Sequence, residues 1–155
     1  MKLLKTRRSL VLLSNLLVVS FAALGGAAEK TPQSVQVTIR SILAANKSDE
    51  FDAKLKGMEQ QLKSLKYRSY RSLKDDSKTV PWQGTQSFEI PGGRILTVVP
   101  QEFQDNRIAL KVRLTENDKP IVDTTVKIPN KGLFILGGPP HDGGTLVLSI
   151  SASVP

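Results

Sequence analysis

The sequence predicts an α+β fold: a β–α–β unit followed by an antiparallel meander of about five or six strands, with one helix packed on the sheet. Three observations predict it. Val35, Val37 and Ile39 alternate with polar residues, as do Ile108, Leu110, Val112 and Leu114 further on; this is the period of a strand with one buried face. Phe51, Leu55, Met58, Leu62 and Leu65 recur at spacings of four and three, which makes one apolar stripe along a helix. Beyond Trp82, short apolar runs are separated by turn residues, the pattern of successive antiparallel hairpins.

The elements follow in order. The first strand begins at Val35, and Ile42 and Leu43 extend it toward Ala45-Asn46. Ser48 or Asp49 caps the helix. Asp49, Glu50 and Asp52 suit the positive end of its dipole, and Lys63 and Lys66 suit the other end. Lys54, Lys56, Glu59, Gln60 and Lys63 lie on the face opposite the stripe. The stripe also satisfies a coiled-coil seam, but about two heptads are too few for one, so the helix is expected to lie on a sheet. Residues 67–73 read as a strand and residues 74–82, with Asp75-Asp76 and Pro81, as a polar loop. A strand over 87–90 turns at Pro91-Gly92-Gly93, where glycine supplies positive φ, into one over 94–99 that stops at Pro100. Residues 107–114 form the clearest amphipathic strand. Residues 116–120 turn it back into a strand over 121–128, and residues 129–132 turn that into one over 133–136. Residues 137–144 read as a loop before a last strand carrying Leu146, Leu148 and Ile150.

Residues 1–28 have the order of a cleavable signal peptide. Lys2, Lys5, Arg7 and Arg8 precede an apolar stretch over 10–24, and Gly25-Gly26-Ala27-Ala28 follow. Cleavage is expected after Ala28, leaving residues 29–34 as a flexible lead-in and 35–155 as a single domain in the periplasm or secreted. The rival reading, an uncleaved anchor, needs ~20 apolar residues, and this run is shorter. Thr6-Arg7-Arg8-Ser9-Leu10 loosely resembles a twin-arginine signal. The leucine-rich stretch favours the general secretory route. No cysteine stands at the cleavage site, so no lipoprotein is expected.

Composition narrows the chemistry. The sequence has no cysteine, so thiol catalysis, cysteine–metal sites and disulfides are excluded even in a compartment that permits them. The leader carries four of the basic residues, so the formal charge falls from +8 to +4 on cleavage. A mildly basic domain fits loose attraction to anionic envelope polymers or lipids, and fits plain solubility equally. Nucleic acid is not an expected partner there.

No catalytic constellation emerges. His141, the only histidine, precedes Asp142 in a Gly/Pro-rich run, but a hydrolase also needs a nucleophile and an oxyanion site. The sequence has no Gly-x-Ser-x-Gly elbow. A solvated hairpin loop, or a loop that binds a partner, is the expectation for His141 and Asp142. The run is not a phosphate cradle, because it lacks the Gly-Lys-Ser/Thr ending. Glu116-Asn117-Asp118 lacks the glycine and distal glutamate of a calcium loop. Neither metal nor cofactor is expected. Lys63, Lys66, Arg68, Arg71, Lys74 and Lys78, with Tyr67 and Tyr70 between them, form the densest basic–aromatic segment. Such a segment can meet phosphates or anionic glycans and stack on tyrosine; it can equally be a helix end and a strand facing water, offset by Asp75 and Asp76. Glu89, Glu102, Asp105, Glu116 and Asp123 are available for glycoside hydrolysis, but no spacing singles out two of them. Trp82 and Phe88 can line a groove or pack. The candidate ligand- or partner-binding residues are therefore Lys63, Lys66, Arg68, Tyr70, Arg71, Lys74, His141 and Asp142.

Two resemblances add to this. Residues 51–70, the turn Ile90-Pro91-Gly92-Gly93-Arg94, and the ending from Ile135-Leu136-Gly137-Gly138-Pro139 to Ile150-Ser151 are similar to a family of small uncharacterised exported bacterial proteins. That likeness implies no particular activity. Asp123-Thr124-Thr125-Val126-Lys127-Ile128 through Asn130-Lys131-Gly132 to Ile135-Leu136-Gly137-Gly138 is similar to a strand-turn-strand segment of outer-membrane secretins. It implies association with an envelope secretion or pilus apparatus and transfers no site residue. The expected function is a non-enzymatic, exported binding or scaffold domain of the bacterial cell envelope. Its partner is expected to be an envelope protein or anionic envelope polymer, with no stable membrane insertion after cleavage. Contacts are expected at an open sheet edge, at residues 137–144 and at residues 63–74. The alternative is a carbohydrate- or lipid-binding module. A glycan-acting hydrolase using carboxylates comes third.

Overall fold

The computed structural model describes residues 33–155; the expected leader and its cleavage site lie outside the described residues. Eight strands make up most of this region: β1 (Ser34–Ala45), β2 (Ser69–Pro81), β3 (Gln86–Ile90), β4 (Arg94–Gln104), β5 (Arg107–Glu116), β6 (Lys119–Pro129), β7 (Gly132–His141) and β8 (Gly144–Ser153). A 3₁₀ turn, Ala53–Met58, and a short helix α1, Glu59–Lys63, lie between β1 and β2. The strands form two four-stranded sheets, ordered β2-β1-β8-β7 and β3-β4-β5-β6, and every ladder is antiparallel.

The α+β expectation is thus corrected to a mainly-β architecture. The meander has four strands in one sheet. The helical segment does not join parallel strands, since β1 and β2 pair antiparallel. The helix is short for a local reason. Gly57 interrupts it, residues 53–58 wind as 3₁₀, and Lys66 at φ 64 ends the segment in the left-handed region.

Alternation fixes which side of each sheet is buried. Val35, Val37 and Ile39 of β1 and Leu146, Leu148 and Ile150 of β8 meet Phe88, Leu96, Val98, Leu110, Val112 and Leu114 of the other sheet in one core. Two sheets packed through their apolar faces make a β-sandwich. The outer face of the first sheet has a second, smaller cluster. There Ile42, Ala44, Tyr70 and Val147 are covered by Leu55, Met58 and Leu62 of the helical segment. The expected helix-on-sheet contact is therefore present, and all five apolar residues of the stripe take part: Leu55, Met58 and Leu62 are buried in the cluster, and Phe51 and Leu65 pack at its margin.

Residues 74–82 are mostly strand rather than loop. β2 runs on to Pro81, pairing Lys78 with Val37 and Val80 with Val35. Three hairpins close through two-residue turns, Asp105-Asn106, Asn117-Asp118 and Asp142-Gly143, with positive φ at both positions. Such turns match the twist of paired strands. The loop expected over 137–144 shrinks accordingly: β7 continues to His141, with a register shift between Gly137 and Pro140, and pairs His141 with Gly144. β4 likewise passes Pro100 through a bulge to Gln104. Segment 123–138 runs from β6 through a turn into β7, whose partners lie in different sheets.

Candidate functional site

The sheet edges are the first place to look, because an edge strand presents unpaired backbone groups. β2 and β3 meet at one seam of the sandwich. Lys74, Asp76 and Lys78 share the inward side of β2 with Val80, and inward charges blunt an edge. The Lys78 Nζ donates to the Ser87 carbonyl at 2.7 Å and Lys74 Nζ to the Glu89 carbonyl at 3.1 Å, so two edge carbonyls of β3 are occupied. Lys78 Nζ also stands 4.9 Å from the Phe88 ring centroid, within cation–π range. β6, at the other seam, carries Lys119, Asp123 and Lys127, and Pro120 and Pro129 remove two donors.

β7 differs. Its run Leu133-Phe134-Ile135-Leu136-Gly137 has no charge and no proline. It pairs with β8 on one side, and no ladder joins it to β6 on the other. Leu133 and Ile135 pack at the margin of the outer cluster, and Leu136 packs against the main core. Phe134 pairs with the core residue Ile150, yet is 36% exposed because the sandwich is open at this seam.

The far end of β7 is pinned by Arg94, 7% exposed at the start of β4. Its Nη1 donates to the Pro91 carbonyl at 3.0 Å and its Nη2 to the Pro140 carbonyl at 3.1 Å. Nη1 also lies 3.2 Å from His141 Nδ1. A guanidinium only donates, so Nδ1 is the acceptor in this contact. Glu116 Oε1 stands 3.5 Å from Nη2. The buried Nε has no hydrogen-bond partner among the described residues. His141 is therefore part of a structural cluster that closes one end of the sandwich.

A surface cleft of about 320 Å³ lies where the β7–β8 turn meets the chain leaving β1. Lys47, Ser48, Glu50, Ser69, Arg71 and Asp142 line it. Among the described residues none of these four charged side chains makes an ion pair. The cleft offers hydrogen bonds and charge of both signs, without a nucleophile held against a base. Among the described residues no group of three or more His, Cys, Asp or Glu gathers to hold a metal ion.

The residues expected to bind are dispersed. Tyr70, Arg71 and Asp142 all border the cleft. Tyr70, however, is 2% exposed, and its ring is core rather than a stacking surface. Its hydroxyl donates to the Leu62 carbonyl at 2.5 Å and accepts from the Tyr67 N–H at 3.1 Å. Burial raises its pKa. Lys63 pairs with Glu59 at 2.7 Å within the short helix, and Lys66 is exposed at its end. Arg68 grips both carboxylate oxygens of Asp49 at 2.9 Å, and that hydrogen bond and charge lower the Asp49 pKa. Lys74 is engaged at the β2–β3 seam. Sequence reasoning missed Lys47, Ser48, Glu50 and Ser69 as cleft residues, and Arg94 as a buried cation. Arg94 left a signal: it shares strand parity with the inward Leu96 and Val98.

No family model matches this chain, and neither a curated protein nor a solved structure matches it.

Proposed function

We propose that this chain is an exported, non-enzymatic binding or scaffold domain of the bacterial cell envelope that takes a partner strand onto β7. One observation carries the reading. Among the described residues, of the four strands that border the two sheets, β7 alone offers five consecutive residues free of both charge and proline, Leu133 to Gly137. Strand addition draws affinity from backbone hydrogen bonds and selectivity from alternate side chains. The leader-like residues 1–28 support the location, and the secretin-like stretch supports an envelope apparatus as the setting.

A second reading, binding of an anionic glycan or lipid headgroup, has its own observation. Arg107, Lys111, Arg113 and Lys127 stand exposed on the outer side of β5 and β6 and make no ion pair among the described residues.

Capture experiments from envelope extract separate the two. Phe134→Lys is expected to abolish recovery of a protein partner, and Lys111→Glu with Arg113→Glu to leave it intact. Retention on peptidoglycan or lipopolysaccharide that is lost in the double variant, with no protein recovered by the wild type, would overturn the scaffold reading.

A further inference from the structure

We infer that the strand taken up by β7 is β7 of a second copy, so that the domain self-associates as a closed, twofold dimer. The inference rests on the reading of β7 as the contact edge and names its occupant.

Three features lead there. First, the free run is centred on Ile135, two residues from each end. Antiparallel pairing about a twofold axis places a residue opposite its own copy, so Ile135 meets Ile135 of the second copy. Phe134 then meets Leu136, and Leu133 meets Gly137. Apolar side chains are opposed throughout, with a glycine where the bulky Leu133 needs room. Pairs of this kind are the unit of sheet stabilisation. Second, charge does not oppose it. The nearest cation on β7's flank, Lys131, stands four positions from the axis, so its two copies lie ~26 Å apart at ~3.3 Å per residue. That is more than three Debye lengths at physiological salt. Third, the other edges decide where growth stops. β3 has its carbonyls filled by Lys74 and Lys78, β2 carries inward charges, and β6 carries charge and proline. A subunit with one open edge makes an isologous pair and no filament.

Pairing would extend the first sheet to eight strands, running β2-β1-β8-β7 and then the same four reversed. It would cover Phe134 and join the outer clusters of the two copies through Leu133 and Ile135. Five paired residues a side is a small interface, so the dimer is expected to depend on concentration.

The test uses the full chain, with mass measured by light scattering over a dilution series. Wild type is expected to move from two chain masses toward one on dilution, and Phe134→Lys to stay at one while still unfolding in a single cooperative transition. Because the sequence has no cysteine, Ile135→Cys gives an unambiguous second readout. Opposed Cβ atoms at a strand pair come close enough for a disulfide. Mild oxidation is expected to cross-link this variant into dimers and to leave Thr97→Cys, on the outer face of the other sheet, as monomer. A single chain mass up to about 1 mM with no cross-link through position 135 would overturn the dimer. If Phe134→Lys still lost an envelope protein in that case, strand addition would stand with a different occupant. If the dimer formed and Phe134→Lys kept its envelope partner, the capture reading would fail and the dimer would stand.

Discussion

Replacing Tyr70 by phenylalanine removes one oxygen from the smaller core and leaves the ring in place. That oxygen serves two bonds. It donates to the Leu62 carbonyl and accepts from the Tyr67 N–H. The Leu62 carbonyl keeps the Leu65 N–H at 3.0 Å, so its loss is partial. The Tyr67 N–H loses its acceptor in a part-buried position. A net hydrogen bond contributes roughly 0.5–1.5 kcal/mol, and an orphaned buried group costs about 1–3 kcal/mol. They sum to about 1.5–4.5 kcal/mol; because the Leu62 carbonyl keeps a donor and the Tyr67 N–H is only part-buried, Tyr70→Phe is expected to destabilise the fold by roughly 1.5–3 kcal/mol. The edge-on contacts with Phe51, at 5.8 Å between centroids, and Tyr67, at 6.3 Å, survive the change and do not add to this figure. Urea denaturation with linear extrapolation measures it as a drop in midpoint at unchanged slope. A loss under about 0.5 kcal/mol, the range of ordinary surface substitutions, would refute the argument that the hydroxyl's two hydrogen bonds stabilise the smaller core.

Two further predictions concern the ends of elements. The Asp52 carboxylate accepts from the Lys54 N–H at 3.0 Å and the Ser72 N–H at 3.1 Å, and those backbone bonds lower its pKa. A depressed folded pKa contributes stability above the unfolded value of ~3.9, lost as pH falls through the folded value; Asp52→Asn is therefore expected to be less stable than wild type near neutrality, with the gap narrowing in an acid titration of the urea midpoint. Gly143 sits at φ +75, and a Cβ there would meet the Lys47 ammonium; Gly143→Ala is expected to lose about 1–2 kcal/mol, whereas Gly137→Ala, with open space around its Cβ position, is expected to stay within about 0.5 kcal/mol in thermal melts.

How much of this was legible varies by element, and the reason is physical. Strands with one apolar face, such as β5, announce themselves through alternation. β2 does not, because Lys74, Asp76 and Lys78 occupy the inward positions that a pattern search expects to be apolar. Their inward placement is what brings two ammonium groups to the carbonyls of β3. The stripe from Phe51 to Leu65 correctly marks a segment that covers apolar surface. Spacing alone does not distinguish one long helix from a 3₁₀ turn followed by a short helix. Asp142-Gly143 is a strong two-residue turn signal, but the surrounding Gly-Gly-Pro-Pro run masked it and made a strand read as a loop. The cleft was half legible: Tyr70, Arg71 and Asp142 stand out in the sequence, but Lys47 and Glu50 reach it only through the β7–β8 turn folding over the end of β1.

The placement of β1 between β2 and β8 bears on how the chain acquires its structure over time. The meander of β3 to β6 is built from neighbours in sequence and can form as soon as each hairpin exists. The first sheet cannot. Gln36 pairs with Ser153, so the earliest strand waits for the last one, and the loop to be closed spans nearly the whole domain. Closing it costs entropy before any contact repays it. Until β8 arrives, β1 has β2 on one side and nothing on the other, and the apolar faces of both sheets stay without a lid. The sandwich core is therefore completed only when β8 docks beside β1, which makes that docking a late step of folding.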